Sequence, residues 1–280
     1  MKVLIVSYNN CANFGDRIGL DLVQRLLPPE TEVFLSPLPP FWVEPHNDFD
    51  LVIVGTGHSI FHKSLEDKFL DFLEKQNCVI GIFGLQYHNL LLNLSLAPLK
   101  RLFSILKCWF SRSKEDILFL DSNKALPKKY AHLGDWLINS FPLVNWSDTR
   151  DLIIPAQFIE WEQDIQRTIQ KIQSHKRVSS ARLHPILCAL TSAEEVKYEE
   201  QLWQGREYPS GKYRSMFLDI FNKCPSPGEW FKVDRDLVIS YKKNVYINTE
   251  YMRKCVWEYF SLSQFQLYEG SEDFFNFNDS

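Results

Sequence analysis

An arginine and a histidine stand one residue apart in Ser179-Ser180-Ala181-Arg182-Leu183-His184-Pro185-Ile186, where a short strand-like lead, Arg177-Val178, gives way to an apolar helical run, Ile186 to Leu190. A helix start offers free backbone N–H groups and the positive end of the helix dipole, both of which favour anions. An always-charged guanidinium and an imidazole that titrates near neutrality would complete a seat for a phosphate or carboxylate. The same spacing also fits an arginine that caps a neighbouring loop beside a satisfied structural histidine. A second arginine, Arg112, closes the strand-like Cys108–Phe110. Arginine grips a carboxylate or phosphate in a forked, two-point way, so Arg112, Arg182 and His184 would suit one small dianion if the fold brings their segments together. Lys212, in Ser210-Gly211-Lys212, reads either as part of a mobile anion-contacting turn or as part of a solvated loop.

Other chemistries find little support. Gly55-Thr56-Gly57 follows a strand but lacks the third glycine of a dinucleotide fingerprint, and it follows the third strand rather than the first. There is no phosphate-binding GxxxxGK[ST] loop, no GxSxG elbow around Ser59 or Ser113, and no Asp-x-Asp pair at a strand end. The six cysteines, Cys11, Cys78, Cys108, Cys188, Cys224 and Cys255, form no CxxC pair and no metal-ligand spacing. They read as buried, reduced thiols of a cytosolic protein. Net charge is −4 and the basic residues are scattered, which disfavours a nucleic-acid partner. The apolar run Leu90 to Leu106 is broken by Asn93, Pro98, Lys100 and Arg101, so it reads as a core-packed helix rather than a membrane span. With Lys107 its basic residues could graze a membrane surface. An anion site without metal is what remains.

The elements that would position such a site come in a recognisable order. Lys2–Ser7, Thr31–Leu35, Phe49–Val54, Val79–Phe83 and Cys108–Phe110 read as strands, the first and third being near-continuous apolar runs of the kind buried on both faces. Helical segments over Arg17–Leu27, Leu65–Phe72 and Leu96–Lys107 alternate with them. Strand–helix alternation with doubly buried strands predicts a parallel α/β sheet. In such sheets ligands bind at the carboxyl ends of the strands. Asn13, Asp16, Gly55, Gly57, Gln86 and Arg112 all fall at those ends, with His58 at the same rim. Asp16 is either a base at the first strand end or a helix cap. The pattern restarts near Asn145–Asp151, which predicts lobes of 1–148 and 149–280. The second lobe is expected to hold a strand over Leu152–Pro155, a helix over Phe158–Ile172, a strand over Glu195–Glu199, a polar loop over Gln204–Tyr213, a short helix over Ser215–Phe221, a strand over Leu237–Tyr241 and a long helix over Thr249–Leu262, before a frayed tail beyond Glu269.

Taken in chain order, these residues resemble the polysaccharide pyruvyl transferase family. Asn13-Phe14-Gly15-Asp16 is similar to its early N-x-G-D turn, and Asp50 to Gly57 to its strand and glycine loop. Phe83-Gly84-Leu85-Gln86 resembles its next strand end, Phe110-Ser111-Arg112-Ser113 its strand-plus-arginine element, and Ser180 to His184 its R-x-H motif before an apolar helix. The resemblance covers roughly residues 1–190. It implies two Rossmann-like lobes with parallel sheets, similar to the glycosyltransferase B type, the second lobe being small. It implies transfer of a pyruvyl group from phosphoenolpyruvate to two hydroxyls of a sugar in a polysaccharide or lipid-linked precursor. The product is a cyclic ketal, and no cofactor or metal is required. Arg182, Leu183 and His184 would line the donor site, with Arg112 facing them. His184 would handle the proton and Asp16 would act as base. Asn13, Gly55, Gly57, Gln86 and Lys212 would complete the binding surface. Aromatic residues in Phe41–His46 and Gln204–Tyr213, namely Phe41, Trp42, Trp203 and Tyr208, could stack on the acceptor sugar or simply pack. Two other readings stay open: a nucleotide-sugar glycosyltransferase using Arg182 and Lys212 on a diphosphate, and a non-catalytic anion- or sugar-binding relative.

Overall fold

The computed structural model describes residues 1–8, 13–157, 159–202 and 208–264, the last five by backbone alone. The turn at Asn9–Ala12, Phe158, Trp203 with residues 204–207, the side chain of Phe260 and the tail after Gln264 lie outside the described residues.

The first lobe runs β1 (Lys2–Ser7), α1 (Phe14–Leu26), β2 (Glu32–Pro37), β3 (Leu51–Val54), β4 (Ser59–Ile60), α2 (Asp67–Glu74), β5 (Val79–Leu85), α3 (His88–Ile105), β6 (Cys108–Ser111), α4 (Lys114–Ser122) and β7 (Tyr130–His132). Its sheet has the order β2-β1-β3-β5-β6-β7, with β4 joined to β5 and every pairing parallel. The apolar runs follow from this. Side chains alternate between faces with period two. Val3, Ile5, Ile53, Ile80, Ile82 and Phe110 therefore enter one core, while Leu4, Val6, Val52, Val54, Phe83 and Trp109 enter the other. From β1 the chain goes to β2 on one side and β3 on the other. The ends of β1 and β3 thus flank the point where strand order changes direction, the usual place for a ligand in an open sheet.

The second lobe runs β8 (Asp148–Ile154), a 3-10 turn (Glu160–Gln163), α5 (Ile165–Gln173), β9 (His175–Ser180), α6 (Leu183–Ala189), β10 (Glu195–Tyr198), α7 (Lys212–Phe221) and β11 (Phe231–Lys232). Strands β8, β9 and β10 are parallel, and the two-residue β11 adds antiparallel to β10. The molecule is therefore two Rossmann-like lobes, the second smaller and mixed at its edge. The core on one face of the first sheet continues into this lobe through Val178, Leu183, Ile186 and Val196.

Several elements differ from the sequence reading. The stretch after Arg112, which carries no clear periodicity, contains α4, capped by Ser113, whose hydroxyl accepts from Asp116 N at 3.1 Å. The helix expected over Phe158–Ile172 is split, because Asp164 caps a fresh start and accepts from Arg167 N at 3.0 Å. The strand expected at Leu237–Tyr241 is helical. It belongs to α8 (Arg235–Gln264), a 30-residue helix that absorbs the helix expected at Thr249–Leu262. Tertiary anchoring outweighs the β-branched local preference there. Trp257 Nε1 donates to Leu26 O at 2.6 Å, Lys242 Nζ to Phe141 O at 2.7 Å and Asn248 Nδ2 to His132 O at 3.0 Å. All three acceptors lie outside the second sheet, so α8 returns to the first lobe and crosses the expected 148/149 division. Cys224 is exposed and Cys78 half-buried, while Cys108, Cys188 and Cys255 are buried as thiols. No helix of the described residues is long and apolar enough to cross a membrane; α3 kinks at Ser95 and carries Pro98.

Candidate functional site

The carboxyl edge of the first sheet collects an unusual set of polar groups. After β1, Asn13 caps α1 with its Oδ1 accepting from Gly15 N at 3.0 Å, which leaves Asp16 free to face inward. After β3 come Gly55, Gly57 and His58. After β6 comes Arg112, and after β7 comes Asp135, at the head of a 3-10 turn (Trp136–Ser140). From the second lobe, α6 delivers His184 and the start of α7 delivers Lys212. Arg112, His58, Asp135 and His184 are all buried. Yet Arg112 Nη2, His58 Nε2 and His184 Nε2 have no hydrogen-bond partner among the described residues, and the Asp135 carboxylate has only the Leu137 N–H leaning on it. Buried polar atoms are normally paired, so a cluster of orphans at one sheet edge marks a place prepared for something else.

Arg112 is the electrostatic centre. Its one hydrogen bond is a long one, Nη1 to Gly57 O at 3.4 Å, and it forms no ion pair among the described residues. Its charge is felt by six neighbours, Tyr241 and the five that follow. Burial pushes Asp16 up to about 7 against the pull of Lys212 and Arg112. Burial likewise pushes Asp135 up to about 6, again against Arg112. His184 is held well below its ordinary value by burial, then by Arg112, Lys212 and His58. Burial and Arg112 push His58 down to about 3. Burial and Arg112 also push the Lys212 ammonium down to about 8, despite the opposing pull of Glu200 and Asp16. At neutral pH the unliganded site therefore holds two cations, Asp16 close to half-protonation, Asp135 mostly ionised and two neutral imidazoles. Among the described residues no group of His, Cys, Asp and Glu is arranged to hold a metal ion.

The two lobes meet through His184 and Gly15. A Cβ at Gly15 would lie 1.6 Å from His184 Nδ1, so glycine is required for the imidazole to reach the first sheet. Gly15→Ala is expected to dislodge His184 and to cost about 1–3 kcal/mol by overpacking. Chemical denaturation and the His184 ring resonances in an NMR spectrum check this. A variant as stable as its parent, with an unmoved His184 signal, would show that the contact is not as close as described.

The sequence candidates divide sharply. Asp16, Arg112, His184 and Lys212 come together with His58. Arg182 does not serve as a free anion holder. It forms an ion pair with Glu162, whose side chain is 0% exposed, and it also donates to Pro155 O at 3.2 Å and Gln157 O at 3.3 Å. Capping of a neighbouring loop is what the structure shows for it. Leu183 is a core residue at 3% exposure. Asn13 is the cap, a role that the sequence alone leaves equally open to Asp16. Gly55 and Gly57 have φ of 89° and 99°, and a Cβ on them would strike Ile82 O at 2.5 Å and Trp136 Nε1 at 2.5 Å. In both places the missing side chain makes room for neighbouring protein atoms. Gln86 is half-buried, its N–H tied to Ile60 O at 3.1 Å. Trp42 packs between Phe69 and Phe72, with ring centroids at 5.5 and 5.6 Å, whereas Phe41 is 58% exposed. The turn before Lys212 is pinned rather than mobile: Ser210 Oγ donates to Glu200 Oε1 at 2.6 Å and Ser210 O accepts from Tyr87 N at 3.0 Å. Asp135 was not among the sequence candidates. Its signal was Gly134-Asp135, a glycine with φ of 83° followed by an acid.

No protein-family model matches the chain, and no curated protein matches it. Among solved structures it is similar to a functionally uncharacterized protein from Klebsiella pneumoniae subsp. pneumoniae, with 16% sequence identity, 81% of this chain and 91% of that chain covered, and a TM-score of 0.49. At that identity the likeness bears on neither activity nor site.

Proposed function

We propose that the chain transfers the pyruvyl group of phosphoenolpyruvate to two hydroxyls of a sugar acceptor, forming a ketal. The observation that carries this reading is the meeting of Arg112 and Lys212, one from each lobe, with protonable groups and with no carboxylate ion pair to either among the described residues. Phosphoenolpyruvate presents a carboxylate and a phosphate, and two such cations match two such anions. The reaction also needs proton traffic. The methylene carbon must gain a proton as the neighbouring carbon is attacked, and each attacking hydroxyl must lose one. Preorganised cations stabilise the charge that develops on the departing phosphate.

Ligand charge also tunes His184. Arg112 and Lys212 help keep the imidazole neutral. Burial is the larger cause of that depression and remains, but a bound dianion offsets both cations, so His184 is more basic with the donor seated than without it and is placed to relay a proton. Asp16, near half-protonation at neutral pH, suits the role of base towards a hydroxyl.

The test is phosphate release from phosphoenolpyruvate in the presence of a panel of methyl glycosides, compared with release from nucleotide sugars. Donor-specific release is expected, with no response to any nucleotide sugar. His184→Ala is expected to lower kcat by about 10²–10⁴-fold while the KM for phosphoenolpyruvate moves only a few-fold. A variant that loses donor affinity but keeps its turnover would make His184 a binding residue.

A further inference from the structure

Asp135 presents a chemical opportunity that neither the motif pattern nor the donor reading uses. Its Oδ2 lies 3.8 Å from His184 Nε2, and the two side chains are 2% and 10% exposed. That separation is too long for a direct hydrogen bond. An oxygen atom set to one side of the line between them can bond to both at ordinary distances. His184 Nε2 lacks a hydrogen-bond partner among the described residues, and the Asp135 carboxylate has none beyond the pull of the Leu137 N–H. The carboxylate is nonetheless held rigidly. Asp135 N donates to Tyr241 OH at 2.7 Å, and Trp136 Nε1 donates to Thr56 O at 3.3 Å, fixing the turn that carries it.

The occupant of this gap follows from charge. An anion is repelled by the carboxylate, and a cation is repelled by Arg112 and Lys212. A hydroxyl can donate to Asp135 and lie within reach of His184 without adding charge. The site then divides into an anion flank at Arg112 and Lys212 and a hydroxyl flank at Asp135 and His184.

We infer that Asp135 is a catalytic base of this site, and that the acceptor hydroxyl whose proton Asp135 removes sits beside the Asp135–His184 pair, within bonding distance of both. The chemical step rests on the pyruvyl-transfer reading. In it the hydroxyl oxygen bonds to C2 of phosphoenolpyruvate while its O–H bond breaks towards the Asp135 carboxylate. The C2–C3 π electrons take a proton at C3, making the methyl group. Loss of phosphate breaks the C2–O bond, and the second hydroxyl closes the ring. Of the two hydroxyl protons, one is returned to C3 and the other leaves with phosphate. Two carboxylates, Asp16 and Asp135, thus meet a reaction that deprotonates two hydroxyls. The charged and titratable groups facing Asp135 are Arg112 after β6, His184 on α6, Asp219 on α7 and Tyr241 on α8.

The test has two arms. In the first, Asp135→Asn, which keeps shape but cannot take a proton, is compared with the parent by kinetics and melting. Turnover is expected to fall at least about 10²-fold, with the KM for phosphoenolpyruvate within threefold, an unchanged or higher melting temperature, and loss of an ionisation from the acidic limb of kcat/KM. Retained turnover, or a loss confined to KM, overturns the inference. The second arm needs no donor: a crystal structure of the unliganded protein that resolves waters. An oxygen bonded to both Asp135 and His184 is expected. A direct bond between the two side chains, or an empty gap, overturns the inference. If the parent turns over no phosphoenolpyruvate, the donor reading and the chemical step fall together, and the crystal arm alone decides the hydroxyl seat.

Discussion

Arg112→Met is expected to remove about 10²–10⁴-fold of phosphoenolpyruvate-dependent phosphate release while leaving the protein as stable as before, or more so. The activity estimate comes from two charge-assisted hydrogen bonds at about 1.5–3 kcal/mol each, with a tenfold change for every 1.36 kcal/mol or so. The stability estimate comes from what Arg112 lacks. It is 6% exposed, one terminal nitrogen has no partner among the described residues, and its hydrogen bond to Gly57 O is 3.4 Å long. A flexible apolar side chain of similar length fills the same space without burying an unpaired charge. The substitution also resets its neighbours in a defined direction. Arg112 lowers the pKa of Asp16, Asp135, His184 and His58, so all four should rise in the variant. Calorimetric titration with phosphoenolpyruvate, a thermal melt and histidine NMR titrations check the three parts. Donor affinity equal to the parent's would remove Arg112 from the site and, with it, the observation on which the functional reading stands.

Arg182→Ala should have the opposite profile, a large loss of stability. The Glu162 carboxylate is fully buried, and Arg182 is its cation. Removing one partner of a buried pair leaves an uncompensated charge and costs about 3–5 kcal/mol. The carbonyls of Pro155 and Gln157 lose their donor as well. Glu162 also supplies its backbone carbonyl to Arg17 Nη1 at 2.9 Å, so the loss reaches the contact between α1 and the second lobe. At about 2–4 °C per kcal/mol for a chain somewhat smaller than this one, the melting temperature should fall by about 10 °C. Replacing both partners together, Arg182→Met with Glu162→Leu, should recover most of the loss, because no charge is then left buried alone. Below the transition, the single variant should still bind phosphoenolpyruvate far better than Arg112→Met does. An unchanged melt with lost donor binding would instead make Arg182 a ligand, as the family resemblance implies.

These two arginines show how far residues alone can be read. Both sit at strand ends and both look suited to an anion, and their order along the chain is similar in kind. The parallel sheet was legible because a strand buried on both faces has to be apolar throughout, as Leu4 to Val6 and Val52 to Val54 are. With the sheet came its functional edge, and hence Asp16 and Arg112 at one rim; that His184 joins them from the second lobe is decided by the packing. Asp135 was hidden because β7 is a three-residue edge strand with no apolar run to announce its end. The helical state of Leu237–Tyr241 was hidden for a related reason. Val238 and Ile239 favour a strand locally, and only Tyr241, Lys242 and Asn248 bonding back to the first lobe settle the matter.

The amino-acid sequence by itself determined the layered α/β architecture and the rim at which charged groups gather, because apolar periodicity and strand-end turns are properties of neighbours in the chain. Only the tertiary structure decided which of those charges is free. Arg182 is neutralised by a carboxylate twenty residues upstream, Arg112 by none among the described residues, and His184 faces an acid from the other lobe. Electrostatic pairing depends on distance through space and on the exclusion of water, and neither is set until the lobes have packed.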